Sequence, residues 1–250
     1  MPLDLDSVRS RLPGREIHWL TTIDSTMREA VRLAQEGCAS GTVVGADEQT
    51  AGYGRYGRAW HSETDAGLYL TVILRLTMPP DSLPLVTLAL GLAVAEAISE
   101  TTDLNCDLRW PNDLLVNGKK CCGILTQLDG AAILAGVGIN VNHAAFPGEL
   151  ADIATSLRLA AGRRCSREDL LTAILPSIDA HIALLEEDRD ALLEAFSQAS
   201  SYVRGRQVTV DQEGTVLHGV TDGLTPGGFL IVRDREGRRH VVLAGGVRPG

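Results

Sequence analysis

The sequence has almost no lysine. Only two of its 23 basic residues are lysines, Lys119 and Lys120, and these two are adjacent. The 32 acidic residues outnumber the basic ones, so the formal net charge is −9 at pH 7, which argues against a nonspecific nucleic-acid binder. Any chemistry that needs a lysine of this chain must therefore occur at these two positions.

Long apolar runs are also missing. No stretch reaches the roughly 18 uninterrupted apolar residues of a membrane-spanning helix, and the opening residues, MPLDLDSVRSRLPG, lack the apolar core of a signal peptide. We therefore expect a cytoplasmic protein with no membrane partner. With 44% hydrophobic and 22% charged residues, the composition is typical of a packed globular protein.

The cysteines form no recognisable framework. They number five, and no pair has CxxC spacing, which argues against a disulfide scaffold and against a cysteine-based zinc site. We expect free thiols that pack as small apolar side chains.

Periodicity and turn residues predict an α/β chain followed by a smaller all-β part. The helical patterns cover residues 24–37, 83–99, 166–187 and 190–199. The strand patterns of the first part cover residues 42–46, 68–76, 107–110, 122–128 and 131–141, the last two as a hairpin around Asp129-Gly130. Short strands at 207–210, 215–220, 229–232 and 240–243 are typical of a small barrel. We predict two domains, 1–202 and 203–250.

A loop rich in glycine and arginine separates two of the predicted strands. Residues 49–60 read QTAGYGRYGRAW, with three glycines and two arginines within seven positions. Glycine lets a backbone approach a ligand, and arginine pairs with phosphate or carboxylate, so the loop fits an anion site. No GK[ST] follows, as a Walker loop requires, and the GxGxxG spacing precedes a strand instead of a helix. The alternative is a flexible surface turn with two solvated arginines.

A second segment, residues 109–125, reads RWPNDLLVNGKKCCGIL. A strand that ends in Trp-Pro carries Asn112 and Asp113 to its tip, and the Asn117-Gly118 turn returns the chain with Lys120 in the next run. We expect the amide, the carboxylate and the ammonium to meet at one sheet edge. The alternative is a weak surface salt bridge.

A third segment, residues 136–142, reads GVGINVN and places two glycines in an apolar strand. Glycine in a strand indicates the close approach of a ligand or of another backbone. The alternative is a bulge that only lets strands pack.

Together, the three segments resemble the biotin protein ligases. They are similar to that family's GRGRxGRxW, KWPND…K…GIL and GxGIN motifs, and the resemblance extends to Ser25-Thr26, to residues 154–157 and to the C-terminal LAGGV. It implies an α/β (α+β) fold in which a mixed sheet with flanking helices resembles the class II aminoacyl-tRNA synthetases, plus a C-terminal SH3-like β-barrel. It also implies a ligase that activates biotin with MgATP as biotinyl-5′-AMP. The biotin then passes to a lysine of a biotin carboxyl carrier protein of a carboxylase.

The resemblance further implies roles for individual residues. Those of the biotin pocket are Ser25, Thr26, Gln49, Gly52, Gly54, Arg55, Lys120, Gly123, Gly136 and Gly138. Those that bind ATP and the adenylate are Arg55, Arg58, Trp60, Asn112, Lys120 and Asn140. The catalytic residues are Arg55, Lys120 and Asp113, and Asp113 is also the candidate ligand for Mg²⁺. Attack of a carboxylate on a phosphate brings two anions together, so fixed cations are needed to offset their charge.

The chain departs from the family pattern at four positions. Tyr53 and Tyr56 stand where arginine is common, Arg109 replaces the lysine before WPND, and Met27 stands where asparagine often follows Ser-Thr. The loop therefore carries two cations instead of four, and we expect it to hold phosphate more weakly.

Two other functions stay open. One is a lipoate ligase or acyl transferase of related fold, and the other is a catalytically inert biotin-binding protein. Some biotin protein ligases carry a helix-turn-helix domain, but only about 20 residues precede the catalytic segment here, so we expect no nucleic-acid partner. Both a monomer and a homodimer agree with the sequence.

Overall fold

The computed structural model describes residues 2–79, 82–212 and 215–250. Its helices are α1 Leu5–Arg11, α2 Thr26–Gln35, α3 Leu83–Thr102, α4 Leu150–Ile153, α5 Leu157–Ala161, α6 Arg167–Glu187 and α7 Arg189–Gln198. Its first seven strands are β1 Ile17–Ile23, β2 Val43–Gln49, β3 Gly67–Leu74, β4 Asp107–Arg109, β5 Asp113–Val116, β6 Lys119–Asp129 and β7 Ala132–Asn140. The remaining strands are β8 Arg204–Gln212, β9 Thr215–Leu224, β10 Leu230–Arg233, β11 Arg239–Val242 and β12 Gly246–Pro249.

The first seven strands form one mixed sheet in the order β1-β2-β3-β7-β6-β5-β4. The pair β1-β2 is parallel, and the other neighbours are antiparallel. Strand β3 lies near the middle and is buried along all eight of its residues. The predicted mixed sheet is confirmed, although β3 ends at Leu74, two residues before the predicted end.

Side chains alternate between the two faces of this sheet. Leu70 and Val72 of β3 point into the main core, which includes buried residues of α3 and α6. Ile73 of the same strand joins a smaller cluster with Met27 and Ala30 of α2. The sheet therefore has one face covered by α3 and α6, and an opposite face, the α2 face, covered in part by α2.

Helix α3 is the one helix in the described part of the chain that is long and apolar enough to cross a membrane. Within its most apolar 18 residues, 67% are buried inside the protein. Helix α3 packs against α6 and the sheet, so its apolar surface belongs to the core.

The last five strands form a separate antiparallel sheet in the order β11-β10-β9-β8-β12. This second sheet agrees with the predicted SH3-like unit. It contacts the first part of the chain through Trp110, whose indole Nε1 donates to the Gly228 carbonyl at 2.9 Å. The exact domain division after residue 202 stays a prediction.

Candidate active site

The loop predicted to bind an anion folds as a short hairpin over residues 52–60. At its base the Trp60 amide donates to the Gly52 carbonyl at 2.9 Å, and Tyr53 pairs with Ala59 in a β-bridge. At its tip Tyr56 adopts the left-handed region with φ of 59°. The hairpin therefore places Trp60 beside Gly52 at its base, and Arg55 and Arg58 on either side of its tip.

Arg55 at this tip joins three separate parts of the chain. One guanidinium nitrogen, Nη1, donates to Asn112 Oδ1 and to the Gly245 carbonyl, both at 3.2 Å. The other, Nη2, lies 3.1 Å from the Tyr56 hydroxyl. Neither the contact with Asn112 nor the contact with Gly245, in the turn between β11 and β12, was predicted from the sequence.

Among the described residues, Arg58 has no side-chain hydrogen bond to Asn112 or Gly245, the partners of Arg55. Its side chain is exposed, and its guanidinium carbon lies 6.0 Å from the centre of the Tyr56 ring. Of the two arginines of the loop, Arg55 alone is tied to Asn112.

Lys120 and Asp113 meet at the sheet edge, as predicted. Asp113 Oδ1 lies 2.5 Å from Lys120 Nζ, and Oδ2 accepts from Arg109 at 2.7 Å. Burial acts to raise the pKa of Asp113, but the charges of Lys120 and Arg109 outweigh it and hold that pKa below its ordinary value. Asp113 is therefore an ionised carboxylate that orients Lys120 from one side, with one more cation than anion in the group.

A β-bulge explains why Lys120 faces this way. In the β5-β6 pairing, Leu114 lies opposite Cys122 and Leu115 opposite Lys120, so Cys121 is an extra residue. Without this extra residue, the alternation of side chains along β6 would place Lys120 and Gly123 on opposite faces of the sheet. The bulge instead buries Cys121 and Cys122 in the same core and turns Lys120 toward the α2 face.

The Trp60 indole covers two glycines on the α2 face. Gly123 and Gly138 are register partners in β6 and β7, and a Cβ on either would lie 2.8 Å from an atom of the Trp60 ring. Lys120 Nζ lies 5.4 Å from the ring centre, within range of a cation–π interaction. The buried Trp60 Nε1 has no hydrogen-bond partner among the described residues. The glycine pair thus creates room for one flat group between Lys120 and the hairpin.

A polar cluster lies next to this surface, at the start of α2. Gln49 Oε1 accepts from the Thr26 amide at 2.8 Å and from the Thr26 hydroxyl at 3.1 Å. The Thr26 hydroxyl also lies 3.0 Å from that of Thr71, a buried residue of β3 that the sequence analysis missed. Ser25 is buried at the N-cap position of α2, without a side-chain cap hydrogen bond among the described residues, and Gly52 faces the Gln49 amide, which would lie 2.9 Å from a Cβ there.

The remaining predicted residues lie around these groups. The Met27 methyl group packs on Gly136 and would lie 2.7 Å from a Cβ at that position. Asn140 is buried, and its amide donates to the Thr155 carbonyl at 3.1 Å, while the Thr155 amide donates to the Lys120 carbonyl. Gly54 lies in the hairpin, where its amide donates to the Arg58 carbonyl.

Comparison with known proteins identifies the family. The sequence pattern of the biotin/lipoate A/B protein ligase family matches residues 19–143, which include all three motifs. The chain belongs to this family. The family predicted from the motifs is therefore confirmed, and with it the assignment of the chain as a ligase.

Curated relatives of this ligase align over nearly its whole length. It is 32% identical to the biotin--[acetyl-CoA-carboxylase] ligase of Mycobacterium tuberculosis, over 98% of this chain and 95% of the relative. It is 33% identical to the bifunctional ligase/repressor BirA of Bacillus subtilis, over 95% of this chain and 75% of the relative.

Solved structures show the same fold. The biotin protein ligase of Aquifex aeolicus in complex with biotin and ATP matches this ligase with a TM-score of 0.82 and 32% identity, over 94% of this chain and 98% of the other. A Leishmania major biotin protein ligase in complex with biotinyl-5-AMP matches with a TM-score of 0.66 and 26% identity, over 92% of this chain and 99% of the other. The predicted fold class is therefore confirmed.

Proposed function

We propose that this ligase activates biotin with ATP as biotinyl-5′-AMP and transfers the biotin to a lysine of a biotin carboxyl carrier protein. The observation that carries the proposal is the Lys120 ammonium, which Asp113 holds at the edge of the surface formed by Gly123 and Gly138. This arrangement supplies a fixed cation beside a flat, side-chain-free surface.

The polar cluster at the start of α2 suits the ureido ring of biotin. That ring has two N–H donors and one carbonyl acceptor, and Thr26, Gln49 and the buried Ser25 offer hydroxyl and amide groups of both kinds. In this proposal the bicyclic ring lies between the cluster and Gly136, and Gly52 and Gly54 leave room for it. The Trp60 indole must swing off Gly123 and Gly138 before biotin can reach those two glycines.

In the first step, a carboxylate oxygen of biotin attacks the α-phosphorus of ATP. A carbon–oxygen–phosphorus link forms, the bond from the α-phosphorus to the bridging oxygen breaks, and pyrophosphate leaves. The reacting groups are both anionic, so Lys120 and Arg55 offset their charge and the charge of the transition state. Asn112 fixes Arg55, and Arg58, Asn140 and Trp60 complete the nucleotide site in this proposal.

In the second step, the neutral amine of the carrier lysine attacks the acyl carbon of the adenylate and forms a carbon–nitrogen bond. The bond from the acyl carbon to the phosphate oxygen breaks, AMP leaves, and the nitrogen releases one proton to solvent. The mixed anhydride would hydrolyse if water reached it, so the hairpin with Trp60 serves as a cover. Because the pKa of Asp113 is low, this carboxylate is a poor base, and we assign it the positioning of Lys120 instead of proton removal.

Asp113 does not fit the role of magnesium ligand. Its two oxygens are already paired with Lys120 and Arg109, so a divalent cation there would meet two like charges. Magnesium is commonly carried by the phosphates of a nucleotide together with water. No step of the proposed mechanism runs through the metal.

The domain division belongs to the same proposal. Residues 1–202 form the catalytic domain, and residues 203–250 form a second domain that supports the Arg55 end of the hairpin through the Gly245 carbonyl. Since the reaction consumes ATP and modifies a carboxylase, the enzyme acts in the cytoplasm.

The test is intact-mass spectrometry of a carrier domain incubated with this protein, biotin and MgATP, with lipoate as a parallel substrate. We expect one biotin increment that requires ATP and is lost in Lys120→Ala. A lipoyl increment would instead identify a lipoate ligase. Tight biotin binding with no increment would identify an inert binder.

A further inference from the structure

A second cluster of polar side chains lies beyond Trp60, outside the proposed biotin and nucleotide site. It consists of His61, Glu63 and His143, each of which offers one ligand atom within 4.8 Å of the other two. His143 is completely buried, and Glu63 is exposed. The cluster joins the segment that follows the hairpin to the segment that follows β7.

Tyr69 holds one nitrogen of the His143 ring beside the Glu63 backbone. The Tyr69 hydroxyl accepts from the Glu63 amide at 3.0 Å and contacts the Glu63 carbonyl at 3.3 Å. The same hydroxyl lies 3.3 Å from His143 Nε2. The other ring nitrogen, His143 Nδ1, is buried and has no hydrogen-bond partner among the described residues.

Two further aromatic rings lie beside the His143 imidazole. The Phe146 ring stacks on His143 with centres 5.2 Å apart and meets His61 edge-on at 6.3 Å. The two imidazole rings are 5.8 Å apart. A buried imidazole nitrogen with no hydrogen-bond partner is available to bind a metal ion.

We propose that His61, Glu63 and His143 bind a divalent transition metal, zinc foremost. Two imidazole nitrogens and one carboxylate oxygen are a recognised zinc ligand set with a fourth position for water, whereas magnesium and calcium prefer oxygen ligands. Tetrahedral ligands at about 2.1 Å from zinc lie roughly 3.4 Å apart. Small movements of the exposed Glu63 and the half-buried His61 close the remaining gap toward His143.

The contact between His143 Nε2 and the Tyr69 hydroxyl fits the same site. Metal-bound histidines usually donate their second ring nitrogen to an oxygen, which fixes the ring and its tautomer. Because His61 directly follows Trp60, a bound metal ties the Trp60 end of the hairpin to the chain after β7. This site depends on its own residues and not on the proposed ligase reaction.

The test is a titration of the metal-free full-length protein with Zn²⁺, and with Co²⁺ as a spectroscopic probe. We expect one zinc per chain, visible Co²⁺ absorption typical of tetrahedral coordination, and no response to Mg²⁺ at the same concentration. His61→Ala and Glu63→Gln alter accessible side chains, and each weakens zinc binding by about tenfold or more.

His218→Ala is the matched control, because it removes an exposed histidine of the second sheet and leaves the cluster intact. It should bind zinc as the wild type does. His143→Ala alters the core, so circular dichroism must show that it is folded before its affinity counts. Absence of one-to-one zinc binding, or unchanged affinity in His61→Ala and Glu63→Gln, would overturn the site.

Discussion

Two of the groups of paired charges among the described residues differ in exposure and in balance. In the core, Arg167 at the start of α6 pairs with Asp47 at 2.9 Å and approaches Asp65 at 3.6 Å, and its side chain is only 4% exposed. At the candidate site, Asp113 lies between Lys120 and Arg109, and these side chains are 17% to 30% exposed. The core group has more anions than cations, whereas the site group has more cations than anions.

This difference distinguishes charges that stabilise the fold from charges that can act on a substrate. Arg167 also donates to the Gly67 carbonyl, so it joins the start of α6 to β2 and β3. The charge of Arg167 is therefore paired with groups inside the fold. The surplus cation of the site faces the glycine surface, where an anionic substrate can use it. The comparison predicts that core variants lose more stability than site variants, and that site variants lose reaction rate.

The largest effect on stability is expected at the core group. Arg167→Ala leaves Asp47 buried without its cation and should lower the free energy of unfolding by about 3–5 kcal/mol. Urea denaturation followed by circular dichroism measures this loss. Arg11→Ala is the matched control, since its pair with Asp169 is exposed and should change stability by at most about 1 kcal/mol. Equal losses in the two variants would remove the distinction.

Asp113→Asn should have an intermediate effect that depends on pH. The pKa of Asp113 is lower in the folded protein than its ordinary value, so ionised Asp113 stabilises the fold. We expect a loss of about 1.5–3 kcal/mol at pH 7. That loss is fully present above the unfolded pKa of about 3.9 and disappears as the pH falls through the folded pKa. A loss that does not shrink in acid would show that Asp113 is not held ionised.

Gly138→Ala should raise the KM for biotin about tenfold. The added Cβ would meet the Trp60 ring at 2.8 Å and take up space on the glycine surface. Steady-state kinetics measures the change. Gly91→Ala in α3 serves as the control, because an added Cβ there would have its nearest contact at 3.6 Å, an ordinary van der Waals distance. An unchanged KM in Gly138→Ala would show that biotin does not use this surface.

The smallest effect on stability is expected for Arg55→Ala, because this side chain is only half-buried. This change removes the links to Asn112 and Gly245, so biotinyl-5′-AMP should escape several times faster and label bystander proteins. Mass spectrometry of a bystander protein in the reaction measures the leak. Arg235→Ala, which changes an exposed arginine of the second sheet, should not raise it. A leak equal to that of the wild type would contradict the role of Arg55 as a clamp.

Local patterns predicted much of the fold. The helical pattern over residues 24–37 predicted α2, and the structure has this helix at Thr26–Gln35. The β6-β7 hairpin was also predicted, and its turn places Gly130 at a positive φ of 58°. Such features depend on neighbours in the sequence. By contrast, the edge strand β1 and the short helix α1 were missed, because their patterns are brief and β1 pairs with a strand across α2.

The site was predictable only in part for the same reason. Asp113 and Lys120 lie on the neighbouring strands β5 and β6, so their meeting followed from the turn between them. The Asn112 amide, expected at the same place, instead contacts Arg55 and the Ile124 carbonyl. The bulge at Cys121 was not predicted, because it depends on the pairing register of β5 and β6 and not on composition. The contact of Arg55 with Gly245 joins residues 190 positions apart, and no local signal marks it. Thr71 has the same alternating pattern as the rest of its strand. Its contact with Thr26 depends on how β3 packs against α2, which the pattern does not show.

The most direct measurement of the central claim is biotin-dependent exchange of pyrophosphate into ATP by Lys120→Ala. Loss of the cation that Asp113 orients should lower the exchange rate by about 10²–10³-fold. The unfolding midpoint should stay within a few degrees of the wild type, because the Lys120–Asp113 pair is only partly buried. Exchange near the wild-type rate in a folded Lys120→Ala protein would contradict the account.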